Sequence, residues 1–265
     1  MNKELENIKC FLLDMDGTVH ISYKPYPGAA DAIARMRKQG RVIYITNKVT
    51  TPISFYVKAL QKMGIPCTRD DFYTATSATI DYLRAEYAGK RIWVFGTRSF
   101  HRELKDAGIN IINKPGKTDL NKEDADLVVL GYNTEMKYRE LGRLCVMIRK
   151  GIPFIATQPD FNCPDINGYL PDVGSFMALV KASTGAAPIA ICGKPHTTMG
   201  EGVARLVGCN PSEVAVFGDR LATDIAFANA NGFVSVLVLT GEATRVDHEN
   251  GPHKAKIILD SIADF

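Results

Sequence analysis

Two aspartates stand one residue apart near the N-terminus, directly after a short apolar run. In the segment FLLDMDGT, Asp14 and Asp16 flank a methionine and are followed by Gly17 and Thr18. Side chains two residues apart on an extended strand point to the same side, so both carboxylates are expected at one crevice, where they could bind a metal ion or move a proton. The pair alone is equally compatible with a tight Asp-Gly turn.

The elements that would position these side chains alternate between short apolar strands and amphipathic helices. The pattern begins with IKCFLLD and RVIYITN, each followed by a helix, and it returns between IAICGKP and VSVLVLTG. Runs this rich in β-branched residues are typical of a parallel sheet covered on both faces. The predicted fold class is therefore α/β, a doubly wound parallel sheet.

The middle of the chain has strands and helices of its own. RIWVFG, DLVVLG and PFIATQ alternate with helical segments there, whereas PDFNCPDINGYLPDVG is rich in Pro, Asp, Asn and Gly. We predict a discontinuous catalytic core over residues 1–77 and 182–265, interrupted by an inserted α/β domain over 78–181. The Pro- and Asp-rich segment is predicted to be a recognition or hinge loop.

Polar residues also follow three other predicted strands of the core. They are Thr46, Asn47, Lys194, Asp219 and Asp224. The carboxyl ends of strands in a doubly wound sheet converge on one crevice at the switch point, where ligands bind. Close carboxylates are hard oxygen ligands of the kind that Mg²⁺ prefers, and the lysine would add a positive charge. The sequence therefore predicts a magnesium site at this edge of the sheet.

Together these motifs resemble those of the haloacid dehalogenase superfamily of phosphohydrolases, and the match covers almost the whole chain. The family's motifs occur here in order, as D-x-D-G-T from Asp14, a hydroxyl at Thr46, Lys194, and the acids Asp219 and Asp224. The insert looks like the large α/β cap of the NagD and p-nitrophenylphosphatase subgroup. The resemblance thus implies a Rossmann-like core with an inserted cap.

The resemblance also implies a role for each matching acid. Asp14 would be the nucleophile that attacks phosphorus. Asp16 would protonate the leaving oxygen and then activate water against an aspartyl-phosphate. Magnesium would be bound by the Asp14 carboxylate, the Asp16 backbone carbonyl and Asp219, and Asp224 would lie behind these ligands.

The same resemblance places the phosphoryl oxygens against Thr46, the Asn47 backbone and Lys194. Phosphomonoester hydrolysis can require acceleration of up to about 10²¹, whereas a positioned acid or base supplies only about 10² to 10⁴. A covalent intermediate, a metal ion and a lysine are expected to supply much of the rest. Members that cleave carbon–halogen bonds lack the second aspartate, so Asp16 disfavours dehalogenation.

Three positions depart from the usual pattern of the subgroup. Lys48 and Gln158 each stand where asparagine is usual, and Asp172 stands where glycine is usual. Lys48 would either favour substrates with a second anionic group, or pair with a catalytic acid, or be a solvated loop lysine. Losing the glycine would matter if position 172 needed a positive φ. Asp160 and Asn162 are either substrate contacts or turn formers.

Composition and charge limit the classes of partner. The formal net charge of +3 comes from charges of both signs spread along 265 residues, so no nucleic-acid partner is expected. VSVLVL, the longest aliphatic run, is too short to span a membrane, and the start of the chain has no signal-peptide core. We expect a cytoplasmic protein that acts on a small phosphorylated metabolite, and the resemblance adds a homodimer as an alternative to a monomer.

Three functional hypotheses stay open at this point. The leading one is a magnesium-dependent phosphohydrolase that cleaves sugar, polyol or nucleotide phosphates. The others are a receiver protein phosphorylated on aspartate and a catalytically silent binding protein. The receiver is disfavoured because the chain is about twice the length of one ordinary domain and because Asp16 offers a means of hydrolysing the acyl phosphate.

Overall fold

The computed structural model describes residues 3–116, 125–165 and 168–265, which form strands and helices in alternation. The strands are β1 (Cys10–Leu13), β2 (His20–Ile21), β3 (Lys24–Pro25), β4 (Arg41–Thr46), β5 (Phe72–Thr74), β6 (Ile92–Phe95), β7 (Leu127–Leu130), β8 (Phe154–Ala156), β9 (Asn162–Asp165), β10 (Gly168–Pro171), β11 (Ala190–Ile191), β12 (Val214–Gly218), β13 (Val234–Val238) and β14 (Ile257–Leu259). The α-helices are α1 (Ala29–Gln39), α2 (Ile53–Lys62), α3 (Ala75–Glu86), α4 (Arg98–Asp106), α5 (Tyr138–Arg149), α6 (Val173–Thr184), α7 (Thr197–Val207), α8 (Ala226–Ala230) and α9 (Arg245–Asn250).

The chain divides into two compact units. The core unit comprises Met1–Thr46, Ile53–Thr74 and Lys194–Phe265, and the cap unit comprises Asn47–Pro52 and Ala75–Gly193. The predicted domain limits at residues 77/78 and 181/182 stay a prediction. Within the described residues, no helix combines the length and the apolar character needed to cross a membrane.

The core unit contains a six-stranded parallel sheet, as the alternating pattern predicted. Its strand order is β14-β13-β12-β1-β4-β5. The chain therefore leaves β1 towards β4 and β5 on one side and returns through β12, β13 and β14 on the other. Leu13, the last residue of β1, pairs with Tyr44 and Phe217 on the two neighbouring strands. This arrangement makes β1 the switch point, so the predicted doubly wound α/β class is confirmed.

The cap unit is built on a second parallel sheet, with strand order β11-β8-β7-β6. Trp93 on β6 is buried, and the rings of Phe95 and Phe176 meet edge to face with centroids 5.7 Å apart. A Cβ added at Gly96 would lie 2.6 Å from the ring of Phe100. A side chain at this glycine would therefore collide with that ring.

The segment predicted to be a recognition or hinge loop contains regular structure that was not predicted. β9 and β10 form an antiparallel hairpin in which Asn162 pairs with Pro171. The two strands form a sheet of their own, and proline, which cannot donate to a ladder, is tolerated on such edge strands. The prolines obscured the strands in the sequence. A recognition role for the hairpin stays a prediction.

Candidate active site

A buried lysine joins two aspartates that are far apart in the sequence. Asp14 follows β1, and its backbone N–H donates to the Phe217 carbonyl of β12 at 2.9 Å. The Lys194 ammonium donates to Asp14 Oδ1 and to Asp224 Oδ1, each at 2.6 Å. Lys194 is 2% exposed. Asp14 and Asp224 therefore meet at the carboxyl ends of the adjacent strands β1 and β12, with Lys194 between them. Lys194 does not follow a core strand as predicted, since β11, the strand before it, pairs with β8 in the sheet of the cap unit.

Burial and charge perturb both the nucleophile candidate and the lysine. Burial raises the pKa of Asp14 well above its ordinary value; the Lys194 charge opposes this, whereas the charges of Asp224 and Asp219 reinforce it. Burial lowers the pKa of Lys194, but the two bonded carboxylates outweigh it and hold that pKa above its ordinary value. The lysine thus stays charged, whereas ionisation of Asp14 would be favoured by a further positive charge nearby.

Asp219 follows β12 and is enclosed by two glycines. A Cβ added at Gly17, where φ is +88°, would lie 2.3 Å from Asp219 Oδ2, and one at Gly241 would lie 2.0 Å from the same oxygen. Oδ2 accepts the backbone N–H of Glu242 at 2.8 Å. Oδ1 is buried and has no hydrogen-bond partner among the described residues. Burial, reinforced by the Asp224 charge, raises the pKa of Asp219 to about 6.

The acids fit a divalent metal ion. One carboxylate oxygen each from Asp14, Asp219 and Asp224 lies within 4.8 Å of the others. All three groups are hard oxygen donors, and a cation would give Asp219 Oδ1 the partner that it lacks. Asp224 already uses both oxygens, since Oδ1 accepts from Lys194 and Oδ2 accepts the Arg220 N–H at 3.2 Å. This is compatible with its predicted place behind the direct ligands.

A π-helical turn places Asp224. Between β12 and β13, where the alternating pattern predicts a helix, the chain forms a π-helix at Leu221–Ile225 before α8. Single π-helical turns often occur at functional sites. A Cβ added at Gly218 would lie 2.1 Å from Asp224 Cβ, so the glycine allows this turn to close against β12. The 3.6-residue period did not reveal the turn.

Two residues beside the acids were missed in the sequence. Arg220 lies between the acids of the fourth motif; burial lowers its pKa, but the charges of Asp14 and Asp219 outweigh this and raise it. The only sequence signal that could have indicated Arg220 was its position within that motif. His20 is buried, and its Nδ1 lies 3.3 Å from Asp16 Oδ1. Nothing in the spacing of the motif indicated that contact.

The other predicted contacts are divided between the units. Thr46 is buried at the end of β4 in the core unit. In the cap unit, the Asn47 amide donates to the carboxylate oxygens of Asp160 at 3.4 and 3.2 Å. Asn162 is exposed on β9, and Lys48 is half-buried. The structure thus brings Asn47 and Asp160 together, and their roles stay predictions.

The three departures from the family pattern lie together in the cap unit. Gln158 Nε2 donates to Asp172 Oδ1 at 2.7 Å, and the same oxygen caps α6 by accepting the Val173 N–H at 2.7 Å. Burial raises the pKa of Asp172 to about 7, although the hydrogen bonds from Val173 and Gln158 and, least of all, the Lys48 charge act to lower it. Asp172 has φ of −109°, so this position does not need glycine.

Comparison with known proteins places the chain in a family. A profile described as haloacid dehalogenase-like hydrolase matches residues 11–110, and a second, of HAD-hydrolase-like proteins, matches residues 191–265. The acid sugar phosphatase of Staphylococcus epidermidis is 32% identical over 246 residues, which cover 92% of this chain and 91% of that protein. The chain belongs to the haloacid dehalogenase-like hydrolases.

Solved structures of the family agree with this assignment. A 4-nitrophenylphosphatase from Thermotoga maritima has a TM-score of 0.89 and 32% identity, covering 98% of this chain and 97% of that one. A glycerol phosphate phosphatase from Mycobacterium tuberculosis, in complex with magnesium, has a TM-score of 0.87 and 26% identity, covering 99% of this chain and 77% of that one. The predicted core with an inserted cap, the p-nitrophenylphosphatase subgroup and the enzyme class, a phosphatase of the haloacid dehalogenase type, are confirmed.

Proposed function

We propose that this hydrolase is a magnesium-dependent phosphatase that cleaves small phosphomonoesters, such as sugar and polyol phosphates, through an aspartyl-phosphate on Asp14. The observation that carries the proposal is the Asp14 carboxylate, held by Lys194 beside the unpartnered oxygen of Asp219. The substrate class is supported by the names of the relatives, which are an acid sugar phosphatase, a 4-nitrophenylphosphatase and a glycerol phosphate phosphatase.

In the first step, a carboxylate oxygen of Asp14 attacks phosphorus and the bond to the leaving oxygen breaks. Asp16 gives its proton to that oxygen, so the alcohol leaves neutral and Asp16 becomes a carboxylate. Asp16 then takes a proton from a water molecule as its oxygen attacks phosphorus. The second attack releases inorganic phosphate and restores both aspartates to their starting states.

The surroundings of the two acids suit these different roles. The side chain of Asp16 is 54% exposed, so it can meet both a leaving group and water. Asp14 is fixed by a buried ammonium and has little freedom. Lys194 and the Thr46 hydroxyl are proposed to hold the phosphoryl oxygens with the Asn47 backbone.

Magnesium would be held by the Asp14 carboxylate, the Asp16 backbone carbonyl and Asp219, with Asp224 behind them. When bound, it would favour the ionised form of Asp14 and stabilise the charge on the transferring phosphoryl group. The relative that is in complex with magnesium supports this choice of ion.

Selection of the leaving group is proposed for the cap unit, through Lys48, Asp160 and Asn162. The Asn47 amide holds the Asp160 carboxylate, and Lys48 supplies a positive charge near Asp172. A cytoplasmic location, the absence of nucleic-acid and membrane partners, and a homodimer stay predictions.

Phosphate release from a panel of sugar, polyol, nucleotide and 4-nitrophenyl phosphates, with and without magnesium, tests the proposal. Asp14→Asn keeps the shape of the side chain but removes the nucleophile, and Asp31→Asn on the exposed face of α1 is the matched control. We expect magnesium-dependent release by the wild type and the control, and none by Asp14→Asn. If the wild type releases phosphate from no substrate, or if Asp14→Asn releases it equally well, the proposed phosphatase activity is refuted. A long-lived phosphoprotein would favour the receiver hypothesis.

A further inference from the structure

His20 offers a buried nitrogen to the exposed acid. The residue is 1% exposed, and its Nδ1 lies 3.3 Å from Asp16 Oδ1. The two atoms are not aligned as a hydrogen bond, so this buried nitrogen has no hydrogen-bond partner among the described residues. The backbone ties the two residues as well, since the Gly17 N–H donates to the His20 carbonyl at 2.9 Å. The imidazole is therefore fixed beside a carboxyl group that is itself mostly in solvent.

A strained turn holds the imidazole ring in place. Ser22 and Tyr23 join β2 to β3 with φ of 48° and 60°, the left-handed conformation that two-residue hairpins normally assign to Asn and Gly. Bulky residues persist there only where their surroundings require it. The Tyr23 ring lies against the His20 ring with centroids 5.4 Å apart, and the Phe55 ring meets Tyr23 edge to face at 5.3 Å. The stack restricts rotation of the imidazole.

We infer that His20 is a positioning residue for Asp16, and this inference rests on the proposed phosphatase function. When substrate binds, a small rotation of the exposed Asp16 side chain lets the His20 Nδ1–H donate to Oδ1, and Oδ2 then carries the proton towards the leaving oxygen. As the phosphorus–oxygen bond breaks, its electron pair stays on the leaving oxygen, which takes the proton from Oδ2. His20 keeps its own proton throughout. The hydrogen bond selects the one orientation of an exposed side chain that allows this transfer.

The inference predicts a dependence on the leaving group. An alkoxide needs a proton as it departs, whereas 4-nitrophenolate is stable as an anion. Asp16 also activates water in the second step, which both substrates share, so the comparison uses kcat/KM, which covers only the steps up to departure of the leaving group. Misplacing Asp16 should lower kcat/KM for an alkyl phosphate far more than for 4-nitrophenyl phosphate. A loss of general structure around the motif would slow both substrates to the same degree.

Two substitutions separate the ring from its N–H group. His20→Phe keeps a ring for Tyr23 to pack against but has no donor, whereas His20→Asn loses the ring and places an amide N–H where Nδ1 stands. With glycerol phosphate, we expect kcat/KM of His20→Phe to fall by about tenfold or more, the scale of a weakened general acid. With 4-nitrophenyl phosphate, we expect less than about a threefold change. His20→Asn should recover most of the difference.

A double substitution shows whether His20 acts through Asp16. In the Asp16→Asn background, His20→Phe should slow glycerol phosphate cleavage no further. Circular dichroism melts check that each variant is folded. Equal losses on both substrates, no recovery in His20→Asn, or an added loss in the Asp16→Asn background would overturn the inference while the phosphatase function stands. No release by the wild type from any substrate would overturn both.

Discussion

Asp172 should make the stability of the cap unit fall as the pH rises. Burial raises the pKa of this carboxyl from 3.8 to about 7 in the folded protein, whereas the unfolded chain has the ordinary value. Between these two values the folded protein holds a proton that the unfolded chain has released. Stability is therefore greatest at the acidic end of this range and is lost as the pH rises to about 7.

The size of the effect follows from the difference between the two pKa values. Each pH unit corresponds to about 1.4 kcal/mol, so a difference of about three units amounts to about 4 kcal/mol. The matched substitution is Asp172→Asn. Oδ1 accepts from both Gln158 and Val173, and an asparagine oxygen can keep both bonds while removing the charge. Asparagine is also a favourable N-cap residue.

Urea unfolding at several pH values between 5 and 8 measures this difference. Trp93, the single tryptophan, lies buried on β6 of the cap unit, so its fluorescence reports on the unit that contains Asp172. Relative to the wild type, Asp172→Asn should gain about 3 kcal/mol of stability as the pH rises from 5 to 8, because about two of the three pH units lie between pH 5 and the folded-state pKa of about 7.

A second aspartate of the cap unit gives the control. Hydrogen bonds from Arg91 hold the pKa of Asp126 below its ordinary value, so Asp126→Asn should differ from the wild type by a constant amount over this pH range. If the curves of the wild type and Asp172→Asn run parallel from pH 5 to pH 8, Asp172 is ionised throughout and the reasoning is refuted.

Two further predictions concern the core unit. Lys194→Met should reduce phosphate release by a factor of about 10² or more. It should also lower the unfolding free energy by about 3 to 5 kcal/mol, because two buried carboxylates lose their cation. The control, Lys181→Met at an exposed position of α6, should change neither quantity. Gly17→Ala should slow phosphate release by about tenfold or more, because the new Cβ displaces Asp219. Gly64→Ala, at a φ of +77° with open space around it, should be less stable by about 1 to 2 kcal/mol at unchanged activity.

The parallel core was predictable because its strands carry their own signal. Four core strands consist almost entirely of buried residues, namely β1, β4, β12 and β13. Both the hydrophobic pattern and the residue composition of the sequence reveal such strands. The hairpin of β9 and β10 was not, since its prolines and glycine are also typical of loops. The π-helical turn before α8 escaped because the period of a sequence does not distinguish it from the first turn of an α-helix.

At the site, the sequence indicated the residues but not their contacts. That Asp14, Asp219 and Asp224 would meet followed from the strand ends, whereas Lys194 follows β11, a strand of the other sheet. The buried, unpartnered oxygen of Asp219 depends on close packing of Gly17 and Gly241, which no local pattern encodes. The contact between His20 and Asp16 likewise depends on a turn whose backbone conformation is unusual for its residues.

The departures at Lys48, Gln158 and Asp172 illustrate the same limit more sharply. Judged singly, an aspartate in place of a glycine suggests a strained backbone, and a longer amide in place of asparagine suggests a lost contact. In the structure the backbone at Asp172 is extended, and the Gln158 amide donates a hydrogen bond to the Asp172 carboxylate. Because Lys48 also acts on that carboxylate, changing one of the three alters the environment of the others. Restoring the usual residue at a single position should therefore disturb the cap unit more than restoring all three together.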